Sequence, residues 1–288
     1  MTSMGGASDR ASTLEADWLG ASRRAAAALG KILHARPSTA ERAVETGDVG
    51  DGGDRTLQID ADAEQAVFDE LDRLHDEGAR FTAVSEERGV VEYGDPGVIA
   101  IIDPIDGSIN AKRGIPHHAI SIAVAEGPTM RDVVFGFIHD YGPGEEWSAR
   151  RGGGAFLDGV ALPTEARERR TGDGKLEVLG IESAEPHWVR EAADALAEVT
   201  YRVRALGTIA ATLCQVAGAR MDGMVTLARC RAVDAAAGQL IVREAGGHVA
   251  FTSYEDPLGA PLDTEPRSPV IAARTPEGLA QLRAVPKE

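Results

Sequence analysis

The run Ile-Ala-Ile-Ile-Asp-Pro-Ile-Asp-Gly-Ser at 99–108 delivers two carboxylates, Asp103 and Asp106, three residues apart at the end of an apolar segment. Pro104 lies between them and has no N–H to give a ladder, so regular pairing should stop there and turn both acids outward. A helix beginning near Ser108 would add free N–H groups and a positive dipole end, which is an anion site beside two acids. Further acids stand at element edges: Asp60 at a helix start, Glu86 with Glu87 after a strand, and Asp234 at the start of a late helix. Singly, each has an ordinary reading. Asp60 and Asp234 cap helices, Glu86 and Glu87 are solvated, and Asp106-Gly107 makes a tight turn. Together, carboxylates next to an anion are coherent only through a bridging cation. Two like charges about 4 Å apart repel by roughly 4 kcal/mol at an effective dielectric of 20, so the group stays ionised only around a metal. Oxygen donors alone select Mg²⁺ or Mn²⁺ over zinc.

The elements that must hold these acids can be read from periodicity. Leu14, Trp18, Ala21, Ala25, Ala28, Leu29 and Ile32 recur at helical spacing from about Ser12 to Ala35, and Pro37 ends the pattern. A Gly/Asp loop, VGDGGDRTLQID, leads into a second helix over about 61–74, with Ala63, Ala66, Val67, Glu70 and Leu71 on one side. Short β-branched or alternating runs follow at 81–85, 98–103, 119–125, 133–138 and 146–150, each bounded by turn residues. Gly152 to Gly154, the GAFLDG hairpin signal and the Arg150, Arg151 pair mark a hairpin edge. The Arg/Glu-rich stretch at 164–175 is read as a connector, dividing the chain into 1–165 and 166–288. The second part alternates strand and helix: LEVLGI, a helix near 187–198, YRVRAL, a helix from about Thr208 to Ala217, DGMVTL, a helix from Asp234 to Ala245, then HVAFTS and VIAA. A short disordered N-terminus is expected.

Composition removes several classes of function. In 288 residues, 30 basic against 46 acidic side chains leave −16, a field that repels nucleic-acid backbones and anionic lipid. The scattered aromatics make no stacking platform. Cys214 and Cys230 are sixteen apart with no CxxC, so they read as core thiols and write neither a disulfide framework nor a zinc site. Neither lies in a phosphatase-type nucleophile loop. Lys occurs only at 31, 112, 175 and 287, which leaves few candidates for Schiff-base chemistry. No run approaches the roughly eighteen apolar residues of a membrane span, and the first ten residues carry no signal-length apolar stretch, so a soluble cytoplasmic protein is expected. His117 and His118 follow the acidic loop and are read as structural.

Ser-Glu-Glu at 85–87, Asp-Pro-Ile-Asp-Gly-Ser at 103–108, and Val-Asp-Ala-Ala-Ala-Gly at 233–238 followed by Glu-Ala-Gly-Gly at 244–247 resemble, in order and separation, the three signatures of the inositol monophosphatase family. The stretch DGSINAKRGIP is especially similar to archaeal-type members acting on both inositol monophosphate and fructose 1,6-bisphosphate. The resemblance implies a layered α-β-α-β-α sandwich, of α+β and α/β character, as in the inositol monophosphatase/fructose bisphosphatase superfamily. Its N-terminal half would hold a largely antiparallel sheet and its C-terminal half a mixed one, with the site between. It implies two or three Mg²⁺ ions, Mn²⁺ being able to substitute. Glu86, Asp103 and the carbonyl of Ile105 would hold one ion; Asp103 would bridge, and Asp106 with Asp234 would complete a second site. Asp60 matches the acid of the family's TxxxD element and, with Ser108 where Thr is commoner, would orient the attacking water. Asp60, Glu86 and Ser108 are thus the expected catalytic residues. Gly107 and Ser108 would give backbone donors to the phosphate, and Gly207 with Thr208 would add to that surface.

The sequence departs from the family pattern at three places. Val233 replaces the aromatic that usually precedes the late Asp. Leu227 stands where inositol-selective members carry a Glu that grips ring hydroxyls, and Arg229 and Arg231 lie nearby. At the pocket rim these could hold a second phosphate in bidentate fashion; otherwise they are solvated surface arginines. The family's loop lysine is missing from GDVGDGGD. The expected activity is hydrolysis of a small polyol or sugar phosphate, inositol 1-monophosphate first and fructose 1,6-bisphosphate next, by a homodimer without nucleic-acid or membrane partners. A nucleotide 3′-phosphatase comes third. A non-catalytic regulatory partner keeping the fold is the reading from another class, though a pure binding module has no use for a costly carboxylate cluster.

Overall fold

A computed structural model describes residues 5–49, 55–165 and 167–288. Residues 50–54 of the Gly/Asp loop and the residue at the expected 165/166 boundary lie outside that set. In chain order the first part holds α1 (Gly5–Leu14), α2 (Trp18–Ala35), α3 (Thr39–Arg42), β1 (Glu45–Val49), β2 (Arg55–Leu57), α4 (Gln58–Asp76), β3 (Thr82–Ser85), β4 (Gly89–Glu92), β5 (Ile99–Asp106), α5 (Ser108–Arg113), β6 (Ala119–Ala125), β7 (Val133–Asp140), β8 (Glu145–Arg150), β9 (Gly154–Leu157) and β10 (Val160–Ala161). The second holds β11 (Leu176–Glu182), α6 (Pro186–Val199), β12 (Thr200–Arg204), α7 (Ile209–Ala217), β13 (Gly223–Thr226), α8 (Ala232–Glu244), β14 (His248–Phe251), β15 (Val270–Ala273) and α9 (Pro276–Leu282).

These elements stack in five layers, α-β-α-β-α. The eight-stranded sheet runs β10-β9-β8-β7-β6-β5-β3-β4 and is antiparallel except where β3 lies parallel to β5. The five-stranded sheet runs β12-β11-β13-β15-β14 and is mixed, with β11 parallel to both β12 and β13. One face of the large sheet packs on α2 and α4 through Trp18, Leu29, Val67, Phe68, Ile102 and Phe137. Its other face meets α7 and α8, which also cover the small sheet. The outer face of the small sheet packs on α6 and α9. With both faces covered, β6 reads Ala-Ile-Ser-Ile-Ala-Val-Ala and is buried along its whole length.

α8 is buried on nearly every side because it lies between two sheets. Its small residues allow that. A Cβ placed on Gly136 of β7 would meet the Ala237 carbonyl oxygen at 2.8 Å and its Cα at 3.1 Å, so helix and sheet touch backbone to backbone there.

Several sequence expectations need correction. The first helix is two helices: Asp17 accepts the Gly20 N–H and restarts the chain as α2, while Trp18 Nε1 donates to the Thr13 carbonyl. The N-terminal stretch forms helix from Gly5. The buried face of α4 runs through Ile59, Ala63, Glu64, Val67, Phe68 and Leu71, and Glu70 faces out to pair with Arg24. The hairpin β1–β2, the single-turn α3 and the four-residue β4 were too short to leave a periodic signal. Cys214 and Cys230 are free and buried, as expected of core thiols. Among the described residues no helix is long and apolar enough to cross a membrane.

The close approach at Gly136 yields a test of the layered packing. Gly136→Ala should destabilise the fold by about 1–3 kcal/mol in chemical denaturation, because a methyl group has no room against the Ala237 backbone. An unchanged denaturation midpoint would show that the two layers are not in contact there.

Candidate active site

The site is assembled at the C-terminal end of β5. Pairing with β6 places Asp103 opposite Ser121 and Asp106 opposite Ala119, so three steps on β5 match two on β6. That extra residue is a bulge at Pro104, where no ladder donor exists. The Asp103 Oδ1 accepts the Ile105 N–H at 2.9 Å. The strand does not end as expected; it continues to Asp106, and the two acids do not point to solvent. Asp103 is 2% and Asp106 7% exposed, because the α7–α8 layer closes over this end of the strand.

Asp234 and Asp60 reach the site in one and the same way. Each is the third residue of its helix rather than its cap, and each carboxylate turns back to accept a backbone N–H, from Arg231 at 2.9 Å and from Leu57 at 3.3 Å. Acids in a first helical turn also sit well against the dipole. Asp103, Asp106 and Asp234 each offer an oxygen within 4.8 Å of the other two. Glu86 borders this group and is held by the Arg231 guanidinium. Ile105 lies between the two aspartates and is buried.

Burial dominates the electrostatics. It lifts Asp103 well above the usual carboxylate range, with Glu86, Asp106 and Asp234 adding to the effect. Burial also pushes Asp234 to about 8, assisted by the charges on Asp106 and Glu86. Asp106 rises to about 7 by burial, against the pull of the Thr208 hydroxyl and Ala210 N–H that its Oδ2 accepts at 2.5 and 2.6 Å. Asp60 rises to about 7, again chiefly by burial, with Glu87 and Glu86 adding and the Leu57 N–H and Lys112 opposing. Such acids either carry protons or hold a cation. Three oxygen donors within reach of one another, those of Asp103 and Asp106 buried and that of Asp234 half-buried, fit a hard divalent ion.

Two cavities adjoin at this cluster. One of about 360 Å³ is lined by Asp60, Glu86, Glu87, Asp103, Ser108 and Lys112. The other, about 740 Å³, includes Asp106, Asp234, Gly207, Thr208, Arg229 and Arg231. All expected site residues therefore line one cavity or the other. Arg229 is exposed on the rim, while Arg231 reaches inward to Glu86. Leu227 lies elsewhere: it is 1% exposed in the outer core of the small sheet, with Val225 and Ile271.

Glycine is required where the loops meet. Gly107 has φ +88, and a Cβ there would lie 2.9 Å from the Gly207 carbonyl oxygen and 3.1 Å from that of His117. Asn110 stitches the same junction, its amide donating to the His117 and Leu206 carbonyls at 2.8 and 2.7 Å.

Sequence reasoning missed Glu182, Lys112, Asn110 and Glu64. Glu182 ends β11 and accepts the N–H groups of Leu206 and Gly207 at 3.0 and 2.9 Å and the Thr212 hydroxyl at 2.6 Å, fixing the loop that leads to Thr208. The signal was present in LEVLGIE, an apolar strand finishing in an acid, as in IAIIDPID. Lys112 stands four residues after Ser108 and Glu64 four after Asp60, the helical spacing that puts both pairs on shared faces. His118 is structural, as expected: its ring stacks on Tyr141 with centroids 5.6 Å apart, and burial holds its pKa down.

The chain matches the model of the inositol monophosphatase family over residues 15–285. It is 34% identical over 238 residues to the fructose-1,6-bisphosphatase/inositol-1-monophosphatase of Methanothermobacter thermautotrophicus, covering 78% of this chain and 81% of that protein. It is 38% identical over 206 residues to the inositol-1-monophosphatase of Mesorhizobium japonicum, covering 69% and 72%. The extragenic suppressor protein suhB from Bartonella henselae shares the fold with a TM-score of 0.74 at 28% identity, over 92% of this chain and 97% of that one. The match runs from just before α2 to beyond the end of α9 and takes in every acid of the cluster, so the chain belongs to the inositol monophosphatase family.

Proposed function

We propose that this chain is a Mg²⁺-dependent phosphomonoesterase acting on a small polyol or sugar phosphate, inositol 1-monophosphate first and fructose 1,6-bisphosphate second. The observation that carries the reading is the meeting of Asp103, Asp106 and Asp234 within 4.8 Å in a buried site whose acids are all shifted toward neutrality. Mg²⁺ would be held by these three with Glu86 and the Ile105 carbonyl. When bound it would polarise the phosphoryl oxygens and make water a stronger nucleophile at neutral pH. The chain's residues supply the rest. Asp60 and Ser108 would hold the attacking water in line with phosphorus. Gly107 and Ser108 offer N–H groups to the phosphate, Gly207 and Thr208 face it across the cleft, and Lys112 adds a positive charge to a wall that is otherwise acidic.

The bisphosphate reading gains from the rim. With Leu227 turned into the core, no acid grips ring hydroxyls from that position, whereas Arg229 is exposed at the cleft and free to meet a second phosphate. The M. thermautotrophicus relative is named for activity on both substrates.

Asp103→Asn and Asp234→Asn should each lower kcat for phosphate release more than about 100-fold while leaving the metal-free fold as stable or more so, since one repelling acid is gone. Near-normal turnover in either would remove the metal assignment. The metal-free protein should also lose stability as pH rises from about 4 to about 8. Its buried acids keep protons that the unfolded chain has already released, so deprotonation favours unfolding in that window. Melting temperatures in chelator should fall across it and those in excess Mg²⁺ should stay nearly level; a chelated protein that is flat or rising would contradict the electrostatic account. For substrate choice, Arg229→Ala should cut kcat/KM for fructose 1,6-bisphosphate about tenfold and leave inositol 1-phosphate within about twofold. Arg231→Ala should lower both, because it also releases Glu86. Equal losses on both substrates in Arg229→Ala would return the reading to a plain monophosphatase.

A further inference from the structure

Helix α4 serves the site in a second way besides carrying Asp60. One turn farther on, Glu64 is 2% exposed and directed at the β3–β4 turn, the three-residue link of Glu86, Glu87 and Arg88. Its Oε1 accepts the Ser85 hydroxyl at 2.6 Å and also faces the Arg88 guanidinium. The turn is thus gripped on both sides of Glu86. The Arg88 side chain lies back along the same helix: its guanidinium covers the Phe68 ring at 4.2 Å, Nη2 donates to Gln65 at 2.7 Å, and Nε stands 4.0 Å from Glu64. Among the described residues the Glu64 Oε2 has no hydrogen-bond partner.

A buried carboxylate with one oxygen unsatisfied costs stability, and an apolar pair of the same shape would serve the core as well or better. What the apolar pair would not supply is direction. Glu64 fixes the residues on either side of Glu86 to a rigid helix, and that helix also presents Asp60 to the same cavity. We propose that Glu64 is a positioning residue of the reaction: acting through Ser85 and Arg88, it sets Glu86 against Asp103 and keeps that placement in register with Asp60. The proposal rests on the metal-phosphatase reading above. Burial lifts the Glu64 carboxyl to about 7, so near neutrality a glutamine is a close mimic of it.

Glu64→Ala, Glu64→Gln and Ser85→Ala in the full chain test this, with Mg²⁺ binding read by calorimetry, kcat and KM read separately by phosphate release from inositol 1-phosphate, and melting temperature read without metal. In Glu64→Ala the Mg²⁺ dissociation constant should rise at least about tenfold and kcat fall by a similar factor, with KM for the ester little changed. Glu64→Gln keeps an acceptor for Ser85 and should restore most of both. Ser85→Ala removes only the other end of the bond and should weaken Mg²⁺ binding severalfold, which carries the test if Glu64→Ala does not fold. A lower melting temperature in Glu64→Ala with wild-type Mg²⁺ binding and kcat would overturn the positioning role and leave the metal-phosphatase reading standing. A wild type that neither binds Mg²⁺ nor releases phosphate would overturn both.

Discussion

Three carboxylates held within 4.8 Å of one another in a buried site repel strongly, and most of the architecture around them exists to keep them there. Asp103 and Asp106 come from one strand, Asp234 from a helix more than a hundred residues later, and none can relax away. The bulge at Pro104 fixes the first pair. The Thr208 hydroxyl and Ala210 N–H hold Asp106 on the end of α7. The Arg231 N–H holds Asp234 inside the first turn of α8. Each of these bonds favours the ionised acid and so offsets part of what burial costs, but burial remains the larger effect at every member. The fold thus carries a standing electrostatic cost that a bound cation relieves. Binding and stability are consequently linked, as they are wherever a ligand meets only the native state.

The middle helical layer makes that arrangement possible. A helix between two sheets must be apolar or small nearly all round, and from Ala235 to Val242 α8 is, except for Gln239, whose amide donates to the Met130 carbonyl at 2.9 Å. Its near-contact with β7 at Gly136 brings its N-terminal turn down onto the end of β5. On the far side of the large sheet, α4 does the equivalent for Asp60 and the Glu86 turn. Two helices on opposite faces of one sheet therefore deliver acids to the same strand end, in each case by the same backward-turning carboxylate at the third position.

How far this could be read from the sequence depends on distance along the chain. The apolar strand leading to Asp103 and the acids themselves were legible because periodicity and short motifs are local, and the five-layer architecture followed from the family resemblance that those motifs carry. The burial of Asp103 and Asp106 was not, since Pro104 and Gly107 announce a break in the strand but say nothing of a helix from residue 232 onward closing over it. The pairing of Glu86 with Arg231 joins residues 145 apart and had no local trace. Glu64 was readable in principle from its spacing to Asp60, yet a glutamate at helical spacing ordinarily faces water. The boundaries of α4 and the break at Asp17 failed for a different reason: capping bonds and tertiary cover, not apolar period, decide where those helices begin.

The place of Leu227 bears on how substrate preference can change. Inositol-selective members, by the resemblance set out above, use an acid at this position, and here the side chain is packed with Val225 and Ile271 on the outer face of the small sheet. Restoring the acid alone would bury an unpaired carboxylate among aliphatic side chains, a cost of several kcal/mol against a total stability of about 5–15. The local turn would have to be rebuilt before the substitution became tolerable. Preference governed from this position is therefore separated from its alternative by an evolutionary valley of several coordinated changes, whereas the exposed Arg229, two residues on at the cleft, can drift one residue at a time.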